Sequence, residues 1–97
     1  MLDNREMLSK ELSNMGEDKV LFMDGDGFDE AIIGIGKQYG SELSVVYDEA
    51  KLVEALMDQG MDSEEAWDYY YVNIKHCYVG EHTPIILETV DSIRERF

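Results

Sequence analysis

The chain has 97 residues, of which 44% are hydrophobic, and 22 acidic against 8 basic side chains give it a formal net charge of −14. The hydrophobic content and the single proline exclude a disordered chain, and the single cysteine excludes an internal disulfide framework. Repulsion from phosphates and anionic lipids argues against direct binding to nucleic acid or to a membrane surface.

The first part of the chain shows helical periodicity followed by a short apolar run. Apolar side chains at helical spacing predict a helix over residues 3–15, with Asp3 or Asn4 as its N-cap. Gly16 suits the end of this helix. The next run, Val20–Met23, is short and apolar, so it predicts a strand.

A turn and a hairpin are predicted next. Asp24–Gly27 alternates aspartate with glycine, which favours a turn or loop. The apolar runs at residues 31–35 and 43–47 are separated by the polar segment 37–42, a pattern typical of a β-hairpin. Gly34 within the first run indicates a β-bulge or close packing against a helix.

Two helices with clear end signals follow the hairpin. Asp48 can cap the first, and Gly60 suits its C-terminal end. The second opens at Asp62, where Glu65 completes a capping box, and it is predicted to extend to Gly80. Helical spacing assigns the following residues to its inner face: Ala66, Trp67, Tyr70, Tyr71, Ile74 and Cys77 or Tyr78.

The chain ends in a predicted strand, Pro84–Leu87, and a short helix, Thr89–Arg96. Residues 1–97 therefore predict a single α+β domain. We expect a small antiparallel sheet of three to four short strands, including the 31–47 hairpin, packed by two to three helices. The strand order stays open.

The acidic residues are unevenly distributed along the chain. Residues 11–68 hold sixteen of the 22 acids but only three lysines, so this segment carries a net charge of −13. Such uncompensated charge repels itself in the compact state. A basic partner surface is the first explanation to consider for its retention.

The position of an acidic residue in its helix shows whether helix energetics alone can account for its charge. Glu64 and Asp68 repel each other by about 0.2–0.5 kcal/mol, but they lie near a helix N-terminus, where the macrodipole contributes about 0.3–1 kcal/mol per acid. Glu54 and Asp58 form the same i,i+4 pair, and Asp58 lies in the last turn of its helix, where the dipole penalises an anion. Glu54 and Asp58 are therefore candidates for partner binding.

The loop from Asp24 to Glu30 is a second acidic candidate. Its carboxylates suit either a basic partner or a divalent cation, although Phe28 stands where an EF-hand loop needs a ligand. A solvated turn is the plainer interpretation. The acids of this loop are Asp24, Asp26, Asp29 and Glu30.

The segment Val20–Gly27 also resembles the first motif of haloacid-dehalogenase-like phosphatases, in which an apolar strand leads into Asp-x-Asp. Phe28 departs from that motif, and 97 residues cannot supply the larger core those enzymes need. His76, Cys77 and His82 do not match the paired spacing of a zinc site, and Cys77 is expected to be buried. We expect no enzyme activity, no cofactor and no metal centre.

One aromatic residue adds to the partner-binding candidates. Tyr69 should point outward from the second capped helix, near Asp62 and Glu65. An exposed tyrosine among carboxylates suits an interface, because tyrosine is enriched at binding hot spots. A tyrosine that merely covers a helix edge is an equally good interpretation.

Five segments carry a resemblance to a known group of proteins. Gly27–Gly34, Val45–Asp48, Gly60–Met61, Glu64–Ala66 and Tyr78–Pro84 are similar to segments of small uncharacterised acidic proteins of tailed bacteriophages. The resemblance covers roughly residues 22–87. It implies a viral origin and action in the bacterial cytoplasm, and it implies no activity.

Three functions remain open. The first is a phage-encoded inhibitor whose DNA-mimic-like carboxylate surface binds a basic, nucleic-acid-binding host protein. The second is a small phage accessory or structural protein, possible as a homo-oligomer, whose acidity serves solubility. The third is a divalent-cation-binding protein that uses the Asp24–Glu30 loop.

Overall fold

The computed structural model describes residues 2–96, so Met1 and Phe97, the ends of the predicted domain, lie outside it. Within the described residues the chain has an α+β fold, a three-stranded sheet with four α-helices, which confirms the predicted fold class. The helices are α1 (Asn4–Asn14), α2 (Glu49–Asp58), α3 (Ser63–Tyr70) and α4 (Val90–Arg94), and the strands are β1 (Ile32–Gly36), β2 (Ser44–Asp48) and β3 (Ile85–Leu87).

Each helix begins at a residue whose side chain accepts a hydrogen bond from the first turn. The carboxylates of Asp3, Asp48 and Asp62 accept backbone N–H groups at 2.8, 3.1 and 2.9 Å, and Thr89 does the same for α4 at 3.1 Å. These bonds satisfy donors that a helix N-terminus otherwise leaves free. The three predicted aspartate caps are confirmed.

The predicted hairpin is present, and it contains a bulge. β1 and β2 pair antiparallel, and their register shifts between Ile32 and Gly34, where the sequence indicates a bulge. β3 pairs parallel to β2, with Val46 opposite Ile85, so the sheet is mixed and has the order β1-β2-β3. The prediction of a wholly antiparallel sheet is therefore wrong for β3. A parallel pair needs a crossover connection, and α2 and α3 lie within it.

The predicted strand at Val20–Met23 is wrong. This segment forms no strand, although Val20, Phe22 and Met23 pack against the core. The Met23 N–H donates to the Tyr47 hydroxyl at 2.8 Å, so a side chain takes the place of a neighbouring strand.

The second capped helix ends earlier than predicted. α3 ends at Tyr70 and continues as one π-helical turn, Tyr71–Lys75. The wider π turn changes which residues share a face. As a result Tyr71 is 46% exposed rather than on the inner face. Cys77 and Tyr78, the two alternatives for the last inner position, are both exposed rather than buried.

The core lies between the sheet and helices α2 and α3. Its largest fully buried side chains come from both layers: Tyr47, Tyr70, Leu52, Leu56 and Val45. Phe28 and Ala31, from a short 3₁₀ turn (Phe28–Ala31) ahead of β1, are also buried, which fixes the acidic loop against α2.

Candidate functional site

A groove lined by carboxylates lies between helix α2 and the loop that precedes β1. Its volume is about 420 Å³. Glu54 and Asp58 line it from α2, and Asp26 and Glu30 line it from the loop. The two acidic candidates of the sequence thus contribute to one surface. We call these four residues the acidic groove.

Close backbone packing positions the loop against α2. Gly27 has a φ of +81°, and a Cβ added to it would lie 3.2 Å from the Ala55 Cβ. A larger residue would therefore be strained in backbone and in space. Gln59 Nε2 donates to the Asp26 carbonyl oxygen at 3.1 Å, which ties the loop to the C-terminal end of the helix.

The carboxylates of the acidic groove form no ion pairs within the described residues. Lys51 also lines the groove, one turn before Glu54, without forming an ion pair. The groove is therefore an exposed anionic surface with few counter-charges.

The other two loop acids have a different environment. Arg5 Nη1 lies 3.0 Å from the Asp24 carboxylate and 3.9 Å from that of Asp29, and the Arg5 guanidinium lies over the Phe22 ring at 5.0 Å. Partial burial raises the pKa of Asp29, and Arg5 offsets this effect only in part. Asp24 and Asp29 thus hold helix α1 against the loop, and the four loop acids do not converge.

The remaining candidates lie on helix α3 and do not line the acidic groove. Asp62 is the N-cap, and the N–H it accepts from Glu65 lowers its pKa. Glu65 is exposed, and Tyr69 is 45% exposed, which confirms its predicted outward position. Asp62 therefore has a structural role, whereas Glu65 and Tyr69 are available at the surface.

Sequence reasoning missed a buried carboxylate at the start of α2. Glu49 is 3% exposed and accepts a hydrogen bond from the Tyr70 hydroxyl at 2.6 Å. Lys75 Nζ lies 3.1 Å and Arg96 Nη2 3.6 Å from its oxygens, and both cations also pair with Glu88. Burial, together with this hydrogen bond, raises the pKa of Tyr70 far above its ordinary value. A glutamate directly after an N-cap is explained by the helix dipole, so the sequence offered no signal of its burial.

A larger, mostly apolar cavity lies on the other side of the acidic loop. Its volume is about 690 Å³. Cys77 lines it, as do Asp24, Lys75 and Glu88. Its apolar lining includes Leu21, Phe22, Phe28, Ile74, Val79 and Ile86. We call it the apolar cavity.

The soft metal ligands of the sequence are dispersed. His82 Nδ1 lies 2.8 Å from the Leu43 carbonyl oxygen, to which it donates, while Cys77 is exposed in the apolar cavity. Within residues 2–96, no group of three or more histidines, cysteines or carboxylates is placed to hold a metal ion.

Comparison with known proteins gave no match: no family model, no curated protein and no solved structure is similar to the chain at the thresholds applied. The bacteriophage resemblance therefore stays a prediction. Over the described part of the chain, no helix combines the length and the apolar character needed to span a bilayer.

Proposed function

We propose that the chain is a non-enzymatic acidic binding protein, encoded by a phage, that inhibits a basic nucleic-acid-binding host protein in the bacterial cytoplasm. The observation that supports this best is the acidic groove. Carboxylates from two separate parts of the sequence line one surface, and none of them forms an ion pair within residues 2–96.

The spacing of these carboxylates is of the same order as the spacing of phosphates along duplex DNA. Residues one helical turn apart, such as Glu54 and Asp58, have Cβ atoms about 5–6 Å apart. Each strand of duplex DNA carries one phosphate per about 3.4 Å of axis. Lysine and arginine side chains arranged for a phosphate backbone can therefore reach successive carboxylates of the groove, and binding should weaken steeply with salt.

The energetics of helix α2 support selection for a partner. Asp58 is the last residue of α2, and Glu54 lies one turn before it, so dipole and repulsion both oppose the charge. The two loop acids add further negative charge to the same groove. This arrangement of carboxylates does not stabilise the fold, whereas a basic partner could pair with all of them.

A pair of double variants tests the proposal. Glu54→Gln/Asp58→Asn removes two charges from the groove, and Glu64→Gln/Asp68→Asn removes the same two from α3 at the same i,i+4 spacing. Each tagged variant and the wild type would be used to capture proteins from a bacterial lysate at about 0.05 M and about 0.3 M salt. Captured proteins would be identified by mass spectrometry and competed with duplex DNA.

The proposal requires three results together. The wild type must capture a nucleic-acid-binding protein at low salt, duplex DNA must displace it, and the groove variant must lose it while the α3 variant keeps it. Capture that is equal for both variants, or unchanged between the two salt concentrations, contradicts the proposal. The alternative of an oligomeric accessory protein is separated by light scattering, since it requires a stable oligomer of the free chain.

A further inference from the structure

The acidic groove and the apolar cavity are neighbours, separated by one short loop. Asp24 lines the cavity, and Asp26, two positions later in the chain, lines the groove. Two residues of chain span at most about 7 Å. The Phe28 ring, which lines the cavity, packs so closely on Gly25 of this loop that a Cβ there would lie 2.5 Å from the ring.

The apolar cavity has enough room and apolar lining to accept a large side chain. Its volume of about 690 Å³ lies within the range of about 300–1,000 Å³ typical of ligand sites. Leu21 and Val79 remain 39% and 58% exposed in it, so apolar surface is left uncovered. An interface core of this kind usually receives an aromatic or aliphatic side chain.

The charge next to the cavity indicates what kind of segment carries that side chain. The charged groups of the lining are already paired within residues 2–96: Asp24 with Arg5, Glu88 with Lys75 and Arg96, and Lys75 also with Glu49. The unpaired carboxylates therefore lie in the adjoining acidic groove and not in the cavity itself. A cationic segment is complementary to that groove, whereas an acidic or purely apolar segment is not.

We propose that the apolar cavity binds a large apolar side chain from the same basic partner segment whose lysines and arginines occupy the acidic groove. This inference rests on the proposed function, and it adds a specific contact to a purely electrostatic one. The occupant is thus a Lys/Arg-rich segment with one aromatic or long aliphatic residue between its cations. Electrostatics would bring the partner in, and the apolar contact would keep it bound at physiological salt.

Cys77 gives a direct readout of occupancy, because it lines the cavity and is the only cysteine of the chain. The probes are four synthetic Lys/Arg-rich peptides of equal charge, identical except for a central Trp, Phe, Leu or Ala. Their affinities for the wild type would be measured at about 0.05 M and about 0.3 M salt. The rate at which a small thiol reagent modifies Cys77 would be measured with each peptide bound.

We expect at least one of the Trp, Phe and Leu peptides to slow the modification of Cys77 and to bind about 30-fold more tightly than the Ala peptide, as for a hot-spot residue. That ratio should persist at higher salt, because apolar burial is not screened. Modifying Cys77 with N-ethylmaleimide should abolish the ratio, and Cys77→Ser treated identically should retain it. Val79→Asn should reduce it, whereas Val72→Asn, at an 80% exposed valine outside the cavity, should not.

Equal affinities and equal Cys77 rates for all four peptides would overturn the inference. The proposed function would survive that result if Glu54→Gln/Asp58→Asn still weakened all four peptides. If that variant changed no affinity, the proposed function itself would fail, whatever the cavity does. A Cys77 rate that falls with protein concentration alone would assign the cavity to a second copy of the chain and would also overturn the inference.

Discussion

Replacing Asp58 by asparagine should stabilise the fold. Asp58 is exposed and is the last residue of α2, with Glu54 one turn before it. Within residues 2–96 its carboxylate accepts no hydrogen bond from another side chain and forms no ion pair. The substitution therefore removes an unfavourable charge and breaks no contact of this kind.

The size of the gain follows from two terms. Removing an anion from the last turn of a helix is worth about 0.3–1 kcal/mol, and removing an i,i+4 repulsion is worth about 0.2–0.5 kcal/mol. The free energy of unfolding should thus rise by about 0.5–1.5 kcal/mol at low salt. For a domain of this size that corresponds to an increase in Tm of about 2–12 °C.

Thermal unfolding followed by circular dichroism at about 0.02 M and about 1 M salt measures this gain. Glu64→Gln is the control, because Glu64 is exposed and loses one charge but lies in the first turn of α3, where the dipole favours an anion. We expect its Tm to be unchanged or lower. The reasoning is refuted if Asp58→Asn does not raise the Tm at low salt, or if its gain is undiminished at about 1 M salt, where charges are screened beyond about 3 Å.

Three further substitutions test other parts of the structure by chemical or thermal unfolding. Glu49→Ala should lower the free energy of unfolding by about 1–3 kcal/mol, because it leaves the buried Tyr70 hydroxyl without its acceptor. The exposed Glu54→Ala should change it by less than about 0.5 kcal/mol, and equal losses would contradict the network. Because the pKa of Tyr70 is raised in the fold, the unfolded chain loses the hydroxyl proton at a lower pH, so the free energy of unfolding falls above about pH 10. Tyr70→Phe should make that decline shallower by up to about 1.4 kcal/mol per pH unit. An unchanged slope would count against a raised pKa at Tyr70. Gly27→Ala should lower the free energy of unfolding by more than the roughly 1–2 kcal/mol expected for Gly40→Ala. Both glycines have a φ of +81°, but only a Cβ at position 27 would meet another side chain. A larger loss for Gly40→Ala would disprove close packing of the loop.

The elements with their own end signals could be predicted from the sequence. The caps Asp48 and Asp62 act within a few residues, so local chemistry determines where α2 and α3 begin. Gly16 and Gly60 likewise mark the ends of α1 and α2. The bulge at Gly34 could be predicted for the same reason. These features depend on neighbours in the chain and not on the rest of the fold.

Elements that depend on distant partners could not be predicted. Val20–Met23 has the composition of a strand, but the Tyr47 hydroxyl takes the Met23 N–H, and that choice depends on where β2 lies. The π turn at Tyr71–Lys75 places Lys75 beside Glu49, a contact between residues far apart in sequence. Helical periodicity carries no information about either contact.

The candidate site likewise has one part that could be predicted from the sequence and one part that could not. Helix position alone singled out Glu54 and Asp58, because dipole and repulsion are local terms. The two helix acids share a groove with Asp26 and Glu30 because Gly27 packs against α2. Sequence spacing does not predict that long-range contact.

The acidic residues fall into two groups, those paired with a cation of the fold and those without such a partner. This difference helps to explain why the chain keeps its negative charge. Asp24, Asp29 and Glu49 each have a cationic partner within 4.0 Å, so their replacement would remove contacts that stabilise the fold. Glu54 and Asp58 have none within residues 2–96, although Lys51 lies on the same helix three residues before Glu54. Natural proteins tolerate destabilisation of this size while they stay above a stability threshold, so the pair can persist and remain available to a partner. A partner's cations would offset both unfavourable local terms, because the same carboxylates would then be paired in the complex.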